Sequence, residues 1–271
     1  MDRSPMERFV DVFRAQKPII AMAHLPALPG SPLYDEKGGI ESLVDAVVSD
    51  IEALQAGGVD AIMFGNEGDR PYVTSATPES LAAMAVVVTR ALANVTVPFG
   101  VNYLWDPVAS VALAHATSAS FVREVFTGVY DSDMGLWVPK AAEAVRLRRN
   151  LGDRMLLFYN INAEFASPIG TRTNAAKARS AVFASLADGV CVSGPMTGDS
   201  VAMLDLEEVK AAIPGVPVIA NTGVRKENVS EILSVADAAI VGTSFKRAGD
   251  TWNPVDRGRV EAFMDVVHRE R

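Results

Sequence analysis

The chain has 271 residues, of which 49% are hydrophobic and 21% charged, and it carries a formal net charge of −8. That balance supports a sizeable core and excludes disorder as the main state. The acidic excess argues against a general nucleic-acid or anionic-membrane binder, although one local pocket can still hold a small anion.

In chain order, the first segment is MDRSPMERFVDVFRAQ, read as an N-terminal helical extension over residues 1–16. It mixes acids with bases and has no long apolar run, so it does not read as a secretory signal. Eight apolar runs of strand length follow, each trailed by a helical pattern. The runs are PIIAMAH (18–24), AIMFGN (61–66), PFGVN (98–102), FVRE (121–124), MLLFYN (155–160), DGVCVS (188–193), PVIAN (217–221) and DAAIVG (237–242). They are continuous rather than alternating, as expected of strands covered on both faces. Thr77-Pro78-Glu79 reads as a helix start, and Gly57-Gly58 as a helix end. Eight βα units in one domain, residues 1–271, predict an α/β fold, a single (β/α)8 TIM barrel. A doubly wound open sheet competes, but no Gly-x-Gly-x-x-Gly fingerprint follows the first strand. No apolar run reaches the ~18 residues of a membrane span. The lone Cys191 excludes internal disulfides, fits a reducing compartment, and reads as core. A cytoplasmic protein without nucleic-acid or membrane partners is expected.

In such a barrel, ligands sit at the C-terminal ends of the strands, and phosphate often lies on the last two βα loops. Asn221-Thr222-Gly223 ends the seventh strand, and Gly242-Thr243-Ser244 the eighth. Glycine allows close approach to main-chain N–H groups, hydroxyls add donors, a short helix after Gly242 would aim its positive end at the anion, and Lys246 would add charge. Turn residues end strands everywhere, so each motif alone is weak; the two together predict a phosphate site.

The other strand ends supply His24, Asn66 with Glu67, Asn102 with Asp106, Arg123 with Glu124, Asn160 with Asn162 and Glu164, and Ser193 with Thr197. The fourth strand's loop adds Asp131 and Asp133. Glu67 and Glu124 are the candidate proton-transfer groups, because a carboxylate in a closed apolar mouth has its pKa raised. Ion pairs with Arg70 or Arg123 are the competing reading. His24 is a third catalytic candidate, against a packing role at the barrel top. Asn66, Asn102, Asp133, Asn160 and Ser193 are candidate substrate ligands. Glu67, Asp69, Glu124, Asp131 and Asp133 are hard oxygen ligands suited to Mg²⁺ or Mn²⁺, with no tight spacing to require one. Loops 25–40, 69–76 and 127–138 are long enough for lids. Trp105 and Trp137 read as packing more than as stacking platforms.

The chain resembles the BtpA/SgcQ family from about Lys17 to Gly249. The resemblance rests on MAHLPALPGSP, NEGDRPY, GVNYLWDP, FVREVFTGVYDSDMGL, DGVCVSGPMTG, PVIANTGVRKENV and AAIVGTSFKRAG. It implies a likeness to ribulose-phosphate-binding barrels and a phosphate site at Asn221–Gly223 and Gly242–Ser244. Two departures fall where substrate should sit. NINAEFASP replaces a histidine- and lysine-bearing segment, and Glu124 stands where an uncharged polar residue is expected. The expected partner is a small phosphorylated sugar or nucleoside-derived phosphate, handled by an isomerase, lyase or glycosidic hydrolase. The alternative is a non-catalytic assembly or regulatory factor that keeps the pocket. Barrels of this kind often self-associate, so a homo-oligomer is expected.

Overall fold

The computed structural model describes residues 3–152, 154–194 and 200–271. Among them, eight parallel strands close into a barrel in the order β1 (Ile19–His24), β2 (Ala61–Gly65), β3 (Phe99–Asn102), β4 (Phe121–Glu124), β7 (Leu156–Asn160), β9 (Gly189–Ser193), β10 (Val218–Asn221) and β11 (Ala238–Val241), which pairs back onto β1. The expected barrel is therefore the fold. Each apolar run becomes a strand within a residue or two of its expected limits.

Helices α2 (Gly39–Ala56), α3 (Pro78–Ala91), α4 (Pro107–Thr117), α5 (Ala141–Asn150), α6 (Asn174–Ser185), α7 (Met203–Ala212), α8 (Val229–Val235) and α9 (Arg257–Glu270) alternate with these strands. Thr77 caps α3 through its hydroxyl, and Pro78 occupies the first turn, where its missing N–H costs nothing. Asp106 caps α4, accepting from the N–H groups of Val108 and Ala109, so this strand-end acid is a helix cap.

Side chains alternate across each strand. Ile19, Ala21 and Ala23 face the helical layer, whereas Ile20 and Met22 face the barrel axis. The inward set forms a separate cluster with Phe121, Phe158, Cys191, Ile219 and Ile240. Space for the two phenyl rings comes from glycine: a Cβ on Gly100 would lie 2.2 Å from the Phe121 ring, and one on Gly189 would lie 2.8 Å from that of Phe158. Cys191 belongs to this core, where burial pushes its thiol up to about 12.

The N-terminal extension forms α1 (Pro5–Phe13), with a Ser4–Glu7 capping box. Phe9 packs on Phe158, midway along its strand, and Phe13 on Phe121, the first residue of its strand. The helix therefore covers the bottom of the barrel. Asp188 fastens it, accepting from Arg8, Arg148 and the Leu157 N–H.

The loop after β4, residues 127–138, reads in the sequence as a long connection of lid length. It carries a hairpin, β5 (Tyr130–Ser132) and β6 (Gly135–Trp137), which pairs with β8 (Ala166–Pro168) from the loop after β7. No described helix is long and apolar enough to cross a membrane.

Candidate active site in the barrel mouth

The inward parity of each strand continues to its C-terminal end. Where Ile20 and Met22 point inward, so does His24; after Phe121 comes Arg123, after Phe158 comes Asn160, and after Ile219 comes Asn221. A polar ring thus lies directly above the apolar barrel interior. The ring borders a cavity of about 1060 Å³ that opens at the mouth, with Met22 and Ile240 on its floor.

Two inward positions of the ring are glycine, and a functional side chain uses the room at each. A Cβ on Gly65 would lie 2.6 Å from Oε2 of Glu67, and one on Gly242 would lie 3.1 Å from Nε2 of His24. Glu67 and His24 thereby reach the cavity wall with their polar atoms 3.8 Å apart, from Oε1 to Nε2. That separation is too long for a hydrogen bond. It is not an ion pair either. Burial, then the Lys246 charge, drives the His24 pKa to about 3, so the imidazole is neutral.

The two glutamates titrate alike for different reasons. Burial raises Glu67 to about 7, and Oε2 has no hydrogen-bond partner. Burial also raises Glu124 to about 7, but its oxygens are fully engaged. They accept from Asn102 Nδ2, from the Trp105 N–H at 3.0 Å and from the Val125 N–H at 2.7 Å. Neither carboxylate makes the arginine ion pair of the competing reading. Arg70 lies 3.6 Å over the ring of Trp252. Arg123 donates to Asn102 Oδ1 at 3.0 Å and to Asn221 Oδ1 at 3.4 Å.

Five buried side-chain atoms among the described residues lack a hydrogen-bond partner: His24 Nδ1, Glu67 Oε2, Trp105 Nε1, Arg123 Nε and Asn160 Oδ1. All five residues line this cavity. Buried polar atoms are normally satisfied, and their concentration around one cavity marks where the chain keeps hydrogen-bonding capacity for something else.

Beside β1 the ring is completed by β11 and β10, which are neighbours, with Asn221 opposite Ile240. Their following turns are therefore adjacent, and Thr222, Gly223, Gly242, Thr243 and Ser244 all line the cavity. Thr222 and Gly223 both adopt positive φ, of 69° and 60°. The first is uncommon for a β-branched residue. The Thr222 hydroxyl accepts from the Gly194 N–H at 2.7 Å, which holds that turn. The expected helix after Gly242 is a single 3-10 turn, Thr243–Phe245, so helix-dipole help reduces to individual N–H groups. Those of Gly223, Thr243 and Ser244 meet no main-chain acceptor among the described residues. Arg259, from the first turn of α9, adds a cation to this wall, and its Nε donates to the Ser244 carbonyl at 2.9 Å.

Several expected site residues stand elsewhere. Lys246 is 2% exposed and its Nζ pairs with Asp50 on α2 at 2.6 Å, so it does not reach the cavity. Asp133 sits exposed at the β5–β6 turn, away from the wall. Asn66 is a bracket behind the wall, bonded to Asp69 and to the Leu104 N–H. Asn102 supports Glu124 and Arg123, and Ser193 accepts from Asn221 at 2.8 Å. Asn162 clamps the main chain of Ser193. Thr197 lies outside the described residues. The carboxylates proposed for a metal are dispersed, because Asp69 is bonded to the Leu28 N–H and Asn66, and Asp131 is exposed on β5. Among the described residues no three His, Cys, Asp or Glu side chains converge to hold an ion. Trp137 packs edge-on against Trp105, 4.9 Å between centroids. Sequence reasoning passed over Arg123 as a salt-bridge partner and missed Tyr72, Trp252 and Arg259. Strand parity from Phe121 would have turned Arg123 inward; the other three stand on loops or a helix start, where no such period exists.

Solved structures of similar fold include tryptophan synthase from M. tuberculosis, 18% identical over 99% of both chains with a TM-score of 0.58. Phosphoribosyl anthranilate isomerase from Thermus thermophilus is 12% identical over 94% of this chain and 100% of that one, with a TM-score of 0.56. At such identity the likeness is of fold alone. The sequence relatives are nearer. The putative sgc region protein SgcQ of Escherichia coli is 44% identical over 96% of this chain and 98% of its own. The photosystem I biogenesis protein BtpA of Synechocystis is 32% identical over 94% of this chain and 89% of its own. The BtpA family profile matches residues 15–269. With that span matched and two relatives aligned almost end to end, the chain belongs to the BtpA family.

Proposed function

We propose that this protein is an enzyme acting on a phosphorylated sugar or a nucleoside-derived phosphate, as an isomerase, lyase or glycosidic hydrolase. The observation that carries the reading is the convergence of five unpartnered buried polar atoms on one cavity, beside the amide-bearing turns of β10 and β11. The phosphate lies against the N–H groups of Gly223, Thr243 and Ser244, with Arg259 alongside. Glu67 moves the proton. Its unbonded Oε2 can reach a substrate C–H or O–H, and a pKa near 7 suits both removal and return of a proton at neutral pH. Neutral His24 hydrogen-bonds a substrate oxygen, and Asn160 Oδ1 accepts from a hydroxyl. Glu124 keeps Asn102 and the Trp105 loop in place.

The test is thermal unfolding and turnover with ribose 5-phosphate, glucose 6-phosphate and adenosine 5′-monophosphate. At a ligand concentration 100 times Kd, binding adds about 2.7 kcal/mol of stability. At least one compound is expected to stabilise the protein and to be consumed by the wild type, and Glu67→Gln to bind it with turnover reduced at least ~100-fold. A second reading follows the name of the Synechocystis relative, a photosystem I biogenesis protein: this chain is then a non-catalytic assembly or regulatory factor that keeps the pocket. Stabilisation with no turnover in any arm favours it. No stabilisation by any phosphoester sinks both.

A further inference from the structure

Among the described residues several sheltered bases meet acids. Lys246 meets Asp50, Arg148 meets Asp188, and Arg271 meets Asp60. Arg123 is the exception that matters for the site. It is 8% exposed and lines the cavity, yet among the described residues it has no carboxylate in ion-pair range. Its hydrogen bonds go to Asn102 and Asn221, both neutral amides. Glu124, next in the chain, spends its oxygens on three other donors. The charges of Glu67 and Glu124 act on Arg123 across the site, but neither carboxylate touches it, and a buried guanidinium without a contacting counter-charge is costly, so its retention calls for a partner.

The free edge of the guanidinium defines that partner. Nε has no acceptor, and Nη2 carries two N–H groups with one long bond to Asn221. Nε–H and one Nη2–H lie parallel in the plane of the group, a fork that matches the two oxygens of a carboxylate. A hydroxyl or carbonyl oxygen would take one N–H and leave the charge uncompensated. Depth separates this fork from the phosphate loops. Asn221 belongs to the inward ring, whereas Thr222 and Gly223 follow it at the rim. Trp105 Nε1–H is a second unpartnered donor on the same wall, and Asn160 Oδ1 an acceptor for a hydroxyl between the two ends.

We propose that the substrate is a phosphorylated hydroxy- or oxo-acid, with its phosphate on the turns after β10 and β11 and its carboxylate on the Nε–Nη2 edge of Arg123. This rests on the phosphate reading above and narrows it to a doubly anionic substrate class.

The test is isothermal titration with two matched pairs and inorganic phosphate. 3-Phosphoglycerate differs from glycerol 3-phosphate, and 6-phosphogluconate from sorbitol 6-phosphate, only by a terminal carboxylate in place of a hydroxymethyl group. In at least one pair the acid is expected to bind the wild type about tenfold tighter or more, as for a charge-assisted fork. Arg123→Gln should erase that preference while leaving inorganic phosphate within about threefold of its wild-type affinity. Equal binding within both pairs overturns the inference. So does an Arg123→Gln variant that loses inorganic phosphate as severely as the acids, since Arg123 would then belong to the phosphate site. If none of the five compounds binds, the phosphate reading itself fails, an outcome distinct from the first two. Should Arg123→Gln not fold, the wild-type selectivity still decides, and Arg123→Lys, which keeps the charge and loses the fork, should lose the preference.

Discussion

Glu67 and Glu124 have the same raised pKa and opposite situations. Glu124 is wrapped by three donors, which favour its ionised form and hold it still. Glu67 has an oxygen with no donor at all, so its ionised form is destabilised by the fold. Its folded-state pKa near 7 stands above the ordinary 4.5. Between those values the folded state holds a proton that the unfolded state has released, so this group erodes stability as pH rises from about 4.5 to about 7, with no further change above. Glu67→Gln removes that erosion. The variant is expected to be more stable than wild type at pH 8 by about 1–3 kcal/mol and indistinguishable near pH 4, by urea unfolding at both values. An equal difference at the two pH values would show that Glu67 titrates normally. Part of this was legible in the residues themselves. Carboxylates and amides at the ends of apolar runs announced a polar mouth. Which of them turn inward was not read, although parity from Ile20 or Phe121 carries that information. Asn66, Asn102 and Ser193 look like ligands in the sequence and serve as brackets in the fold, because the atoms they grip come from other strands.

Among the elements, the β11–α9 connection depends on a tether that no local pattern reveals. Lys246 reaches Asp50 across 196 residues of sequence. Asp50 also accepts from the Val255 N–H at 2.7 Å, so one carboxylate holds the connection at two points, the first of them two residues after Ser244. A lysine four residues past a glycine reads as a phosphate ligand when its partner is out of view. Lys246→Met leaves Asp50 buried and unpaired, and is expected to cost about 3–5 kcal/mol in chemical unfolding. The same change removes a cation that depresses the imidazole, so the His24 pKa should climb from about 3. An NMR titration that found it unmoved would separate Lys246 from the site. The β5–β6–β8 sheet was illegible for a related reason. Its strands are three residues long and join two different loops, so periodicity has nothing to act on. The eight barrel strands were legible because burial on both faces writes them as unbroken apolar runs.

At the scale of the whole molecule, α1 and the polar ring stand at opposite ends of one cylinder. Phe9 and Phe13 add about 1.5–3 kcal/mol each by burial alone, and Phe13 touches both rings that Gly100 and Gly189 make room for. Phe13→Ala is expected to destabilise the protein by about 3–5 kcal/mol in urea unfolding, through the hole it leaves beneath those rings. A loss below ~1 kcal/mol would mean that α1 rests on the barrel without contributing to it. The plugged base also governs traffic. Among the described residues, this vessel stoppered below opens at one doorway, shared by whatever enters and whatever leaves. If a substrate is split inside it, the fragment held at the doorway must depart before the fragment beneath can follow, and any tight occupant of the upper rim becomes a cork for everything under it.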